Sequence, residues 1–302
     1  MSLLVKKIQK LKEEKNAVIL AHYYVNDEIQ EIADYIGDSY YLSKIATEVP
    51  QETIVLCGVT FMGESAKLLN PQKTVLIPDA AAHCPMADMA GIDKIDAVKN
   101  EHPDVAVVCY INSTAELKAH SDVCVTSANA LKIVKALPNK NIYFIPDENL
   151  GRFVASQLPG KNFIFNDGFC HVHADISKED VLNAKELNPN AKILVHPECT
   201  PDVVKLGDYV GSTSGIIQYA TESSCNEFII CTEIGVLYQL KQKNPHKHFY
   251  TANSRQCCSD MKKISLENVY DVLKNNTNIV VLKEDIKNKA SFPLKRMLEL
   301  GE

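Results

Sequence analysis

The sequence predicts an α/β protein built from three homologous units, each a four-stranded parallel-sheet α/β/α sandwich domain. Three observations predict it. First, Cys84, Cys170 and Cys258 are 86 and 88 residues apart, and even spacing over most of a chain marks an internal repeat. Second, four more landmarks keep the same step. His22, Tyr110 and His196 each close a short apolar run, and Ser39, Ser127 and Thr213 follow seventeen residues later. Gly58, Pro146 and Thr232 end a second apolar run, and Lys73, Lys161 and Lys247 open a third. Third, short continuous apolar runs alternate with segments of helical periodicity. That pattern predicts parallel strands covered on both faces, with right-handed crossovers.

Each copy opens on a helix, predicted at 4–15, 93–101 and 178–187, where apolar residues recur at three- and four-residue steps, as in Leu4, Ile8 and Leu11. The first of these lies in a basic amphipathic N-terminal segment, 1–15. Pro103 and Pro189 lie in the turns that stop the second and third. The first strand of each copy ends at His22, Tyr110 or His196. A short helix and a short strand follow, the strand falling at 123–125 in copy two and 209–210 in copy three. Helices then start near Tyr40, Ala128 and Ser214, with a serine or threonine at or beside the N-cap. Third strands are predicted at 53–56, 142–145 and 228–230. Further helices start near Met62, Leu150 and Ile234, and fourth strands lie at 75–77, 163–165 and 248–250. The cysteine loop closes each copy. The resulting division is 1–91, 92–177 and 178–275, with a tail at 276–302 that packs back on the domains. The tail carries one strand-like run, 279–282, and an amphipathic helix around 294–300.

Bulk properties narrow the function. The chain has 302 residues, 46% hydrophobic and 23% charged, as in globular proteins. A net charge of −6 argues against bulk binding to nucleic acid or an anionic membrane. No apolar run approaches the roughly 20 residues that span a bilayer. The N-terminus lacks the pattern of a secretory signal, so a cytoplasmic location is expected. Ten cysteines are too few for a disulfide scaffold in this length, and in a reducing compartment they serve as buried hydrophobes, metal ligands or nucleophiles. Cys57, Cys109, Cys124 and Cys231 lie in or at the ends of apolar runs and read as core residues.

In open parallel sheets, ligands bind beyond the carboxyl ends of the strands. The repeated His/Tyr, Ser/Thr and Cys positions all follow strands. If three similar units pack about a pseudo-threefold axis, these ends face one cavity and the thiols converge. Each cysteine sits in a polar loop containing Gly or Pro, which favours ligands over core residues. Three converging thiolates suit zinc, or a [4Fe–4S] cluster with one iron left open as a Lewis acid. Cys199 and Cys257 are the candidates for a fourth ligand. Helix N-termini beside Ser39, Ser127 and Thr213 would favour an anionic substrate, and simple capping accounts for each alone. His196 and Glu198 are a candidate pair for proton transfer, and Tyr24 and Tyr110 are candidate donors. His171 and His173 flank Cys170 and read as structural residues or as groups that support the cysteine from behind.

Several motifs together resemble the quinolinate synthase family over nearly the whole chain. They are Ile19-Leu20-Ala21-His22-Tyr23-Tyr24, Ile36-Gly37-Asp38-Ser39, Cys84-Pro85-Met86-Ala87, Tyr110-Ile111-Asn112-Ser113-Thr114, Thr126-Ser127-Ala128-Asn129, His196-Pro197-Glu198-Cys199, Gly211-Ser212-Thr213, and Cys258 three residues before Met261-Lys262. The resemblance implies three α/β domains related by a pseudo-threefold axis and a [4Fe–4S] cluster on Cys84, Cys170 and Cys258. It implies condensation of iminoaspartate with dihydroxyacetone phosphate to quinolinate, phosphate and two waters, in de novo NAD biosynthesis. It places Glu198, Tyr24, His196 and Tyr110 in proton transfer. It makes His22, Ser39, Asn112, Ser127 and Thr213 binders of the carboxylates or phosphate, and Met62 part of the pocket wall. A functional partner supplying iminoaspartate, an aspartate oxidase or dehydrogenase, goes with this reading. Two alternatives use the same cysteines: a zinc-dependent hydrolase or aldolase, and a non-enzymatic iron–sulfur redox sensor.

Overall fold

The computed structural model describes residues 2–301, so Met1 of the N-terminal segment lies outside the described residues. Among these residues, the strands form three separate four-stranded sheets. The first contains β1 (Ala17–His22), β2 (Tyr35–Gly37), β3 (Thr53–Cys57) and β4 (Thr74–Leu76), in the spatial order β2-β1-β3-β4. The second contains β5 (Ala106–Tyr110), β6 (Val123–Val125), β7 (Asn141–Ile145) and β8 (Asn162–Phe165), in the order β6-β5-β7-β8. The third contains β9 (Lys192–Val195), β10 (Tyr209–Val210), β11 (Glu227–Cys231) and β12 (His248–Thr251), in the order β10-β9-β11-β12. All ladders within the sheets are parallel. β1 and β5 are buried along their whole length, as the unbroken apolar runs require of strands covered on both faces.

The repeat extends to side-chain devices that hold each sheet. Asp34, Asp122 and Asp208 precede the second strands, and each accepts a backbone N–H from the first strand: Ile19 at 2.8 Å, Val107 at 2.7 Å and Ile193 at 2.8 Å. The lysine landmarks bind helix C-termini. Lys73 donates to the carbonyls of Ala46 and Val49, Lys161 to Leu137 and Asn139, and Lys247 to Ala220, Thr221 and Ser223. These carbonyls end the helices Ser39–Glu48, Ala130–Ala136 and Thr213–Glu222. The last carbonyls of a helix lack internal partners and carry its negative pole, so an ammonium group there satisfies both needs. The opposite ends of the same helices face the cavity described below.

The elements that open each copy lie at Leu3–Glu14, Ile92–Glu101 and Lys178–Leu187, within a residue of the sequence expectation. The tail differs from it. Residues 279–282 form no strand; a single antiparallel bridge joins Ile279 to Leu76, and Val280 donates to the Val75 carbonyl at 2.9 Å. This segment covers the open edge of β4 without extending the sheet. The C-terminal helix starts earlier than expected and spans Glu284–Gly301. It lies against the helices Ala115–Ala119, Thr60–Leu69 and Ala130–Ala136 and against β6, with Ala290, Leu294 and Met297 buried. It thus ties the first sheet to the second. A further helix, Leu266–Asn275, packs on Leu3–Glu14, and its Leu266, Val269, Val272 and Leu273 join the core of the first two sheets. No helix among the described residues is long and apolar enough to cross a membrane.

Candidate active site

Loops from the carboxyl ends of all three sheets line one cavity. It contains Cys84, Cys170 and Cys258, together with His22, Tyr24, Ser39, Tyr110, Asn112, Ser127, His196, Glu198 and Thr213. Met62 is not among the lining residues; it sits beside a smaller neighbouring cavity with Ser39, while Val59 and Phe61 of the same segment form the wall.

Burial pushes the Cys84 thiol up to about 12, with further contributions from the charges of Glu198 and Cys258. Burial also raises Cys170 well above its ordinary value, with added contributions from Glu198 and Cys84. Cys84 is therefore close enough to both other thiols for their charges to oppose ionisation, which a cation among them would reverse. Neither candidate for a fourth ligand lines the cavity. Cys199 is fully buried and donates to the Cys231 carbonyl at 3.4 Å, in the core of the third sheet. Cys257 lies outside the lining although its neighbour Cys258 is within it.

Glu198 is the centre of the polar network. Its Oε2 lies 3.0 Å from His173 Nδ1 and 3.2 Å from His196 Nδ1, and the two imidazoles stack at 4.6 Å. Burial alone would raise this carboxyl, but the charge and hydrogen bonds of His173 and then of His196 hold it below the usual range. Its Oε1 is buried with no hydrogen-bond partner among the described residues. Burial lowers His196 despite the carboxylate beside it, and it lowers His22 to about 3. Both imidazoles are therefore neutral near pH 7.

The hydroxyl groups do not cap their helices. Asp38 caps Ser39–Glu48 by accepting from the Tyr41 N–H, and Ser212 caps Thr213–Glu222 by accepting from the Gly215 N–H. Ser39 and Thr213 are the first helical residues, and Ser127 stands two residues before the Asn129 cap. Thr213 Oγ1 instead lies 2.7 Å from the Tyr24 hydroxyl, and Ser127 Oγ lies 3.1 Å from His196 Nε2. Asn112 Oδ1 is buried without a partner among the described residues.

Three residues central to this arrangement, Thr232, Asp147 and Glu233, escape sequence reasoning, and His173, expected to be structural or to support Cys170, reaches further than expected. His173 is one turn beyond Cys170, so its Nδ1 reaches both Glu198 and the Cys170 Sγ, the latter at 3.2 Å. Thr232 Oγ1 lies 2.8 Å from His173 Nε2 and 2.7 Å from the Tyr24 hydroxyl. Asp147 and Glu233 are fully buried carboxylates placed two residues after β7 and β11. Their signal in the sequence is position: both directly follow a repeat landmark, Pro146 or Thr232.

Comparison with known proteins agrees over the full fold. A family model described as quinolinate synthetase A protein matches residues 6–299. The chain is 53% identical to a quinolinate synthase of Clostridioides difficile (strain 630), over 98% of this chain and 97% of that one. It is 53% identical to one of Caldicellulosiruptor bescii, covering 97% of each chain. A Sulfurihydrogenibium quinolinate synthase is 51% identical, over 99% of this chain and 98% of the relative.

Proposed function

The chain belongs to the quinolinate synthetase A protein family, and from that premise we propose that it makes quinolinate for NAD biosynthesis by condensing iminoaspartate with dihydroxyacetone phosphate, releasing phosphate and two waters. The observation that carries this reading is the meeting of one cysteine from each of three sheets with Glu198, two histidines and two tyrosines in a single cavity.

The donor set fits an iron–sulfur cluster. Three soft ligands share a buried wall, no other thiol lines it, and each sits in a loop rather than in an apolar strand. Cys84, Cys170 and Cys258 would hold a [4Fe–4S] cluster. When bound, such a cluster supplies a Lewis acid at the iron that no cysteine occupies. Cys170, His173 and Glu198 also bring three potential ligand atoms within 4.8 Å, as a zinc site would. Hydrogen bonds at 3.2 and 3.0 Å already account for that proximity.

The protein groups divide the remaining work. Glu198 is held ionised, so its free Oε1 is placed to take a proton from substrate. His173 donates from Nδ1 to Oε2, and His196 Nδ1 stands 3.2 Å from the same oxygen while accepting from the Glu198 backbone N–H at 3.4 Å. His173 Nε2 then accepts from the Thr232 hydroxyl at 2.8 Å. Thr232 Oγ1 accepts in turn from Tyr24, whose oxygen accepts from Thr213. The chain Thr213–Tyr24–Thr232–His173–Glu198 joins the phenol to the carboxylate, so protons pass between them without bulk water. Tyr110, raised well above its ordinary value by burial and Glu198, stays protonated and donates.

Substrate anions are received by the helix N-termini at Ser39 and Thr213 and by the Ser127 hydroxyl. Asn112 offers its unpartnered side-chain oxygen to a substrate N–H or O–H, and His22 offers an Nε2–H, because its Nδ1 accepts from the Tyr24 backbone at 3.2 Å. A separate enzyme, an aspartate oxidase or dehydrogenase, supplies iminoaspartate. The test is quinolinate formation by protein prepared without oxygen, supplied with both substrates and with each alone. Product only with both supports the reaction; none with both rejects it.

A further inference from the structure

We propose that Asp147 and Glu233 are positioning residues for the second and third cysteine loops: each carboxylate clamps the backbone N–H of a cysteine and so fixes where its sulfur stands before iron arrives. The proposal rests on the reading that Cys84, Cys170 and Cys258 hold an iron–sulfur cluster.

The two carboxylates are equivalent by sequence and by geometry. Each stands two residues beyond the third strand of its sheet and is fully buried. Each uses both oxygens. Asp147 Oδ2 accepts from the Cys170 N–H at 3.2 Å, and its Oδ1 accepts from Leu150 at 2.7 Å at the start of the helix Glu148–Gln157. Glu233 Oε1 accepts from the Cys258 N–H at 3.1 Å, and its Oε2 accepts from Gly235 at 2.6 Å. One end of each clamp is thus anchored to the rigid strand–helix turn, and the other holds a loop distant in sequence. A buried carboxylate that accepts two amides is a stiff joint, because releasing either leaves a buried acceptor or donor unpaired.

The surroundings reinforce each joint. In the second sheet, Glu148 donates to the Gly168 carbonyl at 2.8 Å, and a Cβ at Gly168 would lie 2.5 Å from the Pro146 carbonyl oxygen, so only glycine fits there. In the third, Lys262 pairs with Glu233 Oε1 at 3.0 Å and also donates to the Tyr24 carbonyl at 2.6 Å. The third cysteine loop is thereby tied to the segment that carries Tyr24. The first sheet has Val59 at the equivalent position. Its cysteine loop is held by the Thr60 N–H on the Ala82 carbonyl at 2.9 Å and by Thr60 Oγ1 on His83 Nδ1 at 3.1 Å. Two of the three loops therefore share a device that the first lacks.

The test compares iron release to a chelator, without oxygen, from the iron-loaded full chain and from Asp147→Asn and Glu233→Gln. Each variant keeps the shape and removes one acceptor. Asp122→Asn is the control, since it loses an equivalent strand amide contact, to Val107, outside the three cysteine loops that line the cavity. The proposal predicts release about tenfold faster from Asp147→Asn and Glu233→Gln, as the loss of one hydrogen bond to a buried acceptor implies. It also predicts an altered paramagnetic resonance spectrum of the reduced protein and wild-type behaviour for Asp122→Asn. Wild-type release from both clamp variants, or equal acceleration in Asp122→Asn, overturns it. If Asp147→Asn fails to fold, Glu233→Gln decides alone. A wild-type chain that takes up no iron would instead remove the cluster reading on which the proposal stands.

Discussion

Thr232→Val isolates the link between Tyr24 and Glu198. Valine has nearly the same shape as threonine, so packing is kept and only the hydroxyl is lost. Two contacts disappear, at 2.7 Å to Tyr24 and 2.8 Å to His173 Nε2. The losses are unequal. Tyr24 retains Thr213 at 2.7 Å and can turn its proton there. His173 is about 1% exposed and has no replacement for Thr232 at Nε2 among the described residues. An unpaired buried group costs about 1–3 kcal/mol. If that cost falls on the state in which Glu198 exchanges its proton, kcat drops by roughly 5- to 150-fold. Steady-state quinolinate formation, with KM measured separately for both substrates, is the assay. The account predicts a fall in kcat with KM nearly constant, and recovery in Thr232→Ser. A Thr232→Val variant with kcat within twofold of wild type, or with only KM changed, would refute the relay.

Glu198→Gln should retain iron and lose at least about 100-fold in turnover, because the amide cannot serve as the base; iron content and quinolinate assay on one preparation check this. Lys247→Met removes the ammonium group from three carbonyls at the end of Thr213–Glu222 and should lower unfolding free energy by about 1–3 kcal/mol, measured by denaturant titration. His22 gives a pH signature. Its folded value near 3 lies below the unfolded value of 6.5, so its stabilising effect is complete above about pH 6.5 and is lost as pH falls from there toward 3. Between pH 7.5 and pH 5 this loss amounts to about 2 kcal/mol, and His22→Gln should lose correspondingly less stability over the same interval. Equal pH dependence in both proteins would show that His22 is not the neutral buried group described.

The repeat was legible because three copies of one fold reuse the same residue types where strands end. His22, Tyr110 and His196, and likewise Ser39, Ser127 and Thr213, could be aligned from spacing alone. The three cysteines come from the same logic, and the structure brings all three into one cavity. What could not be read is what differs between copies. Asp147 and Glu233 correspond to Val59, so no threefold pattern marks them. Thr232 corresponds to Gly58 and Pro146, and its role depends on Tyr24, over 200 residues away in the chain. Spacing alone leaves capping and anion binding open for the hydroxyls, because cap and first-turn positions differ by one residue in sequence although their side chains have different uses. The helix Leu266–Asn275 carries a clear apolar spacing at Leu266, Val269, Val272 and Leu273. The repeat assigns that stretch to the third copy, whereas it packs on the first helix of the chain, so the threefold pattern hides it.

The most direct test of the central claim is iron and sulfide per chain, measured in protein purified without oxygen and compared with Cys84→Ala, with quinolinate formation assayed in the same samples. The account predicts about four iron and four sulfide with activity in the wild type, and loss of cluster and activity in the variant. Stoichiometric zinc with neither iron nor sulfide in active wild-type protein would contradict it.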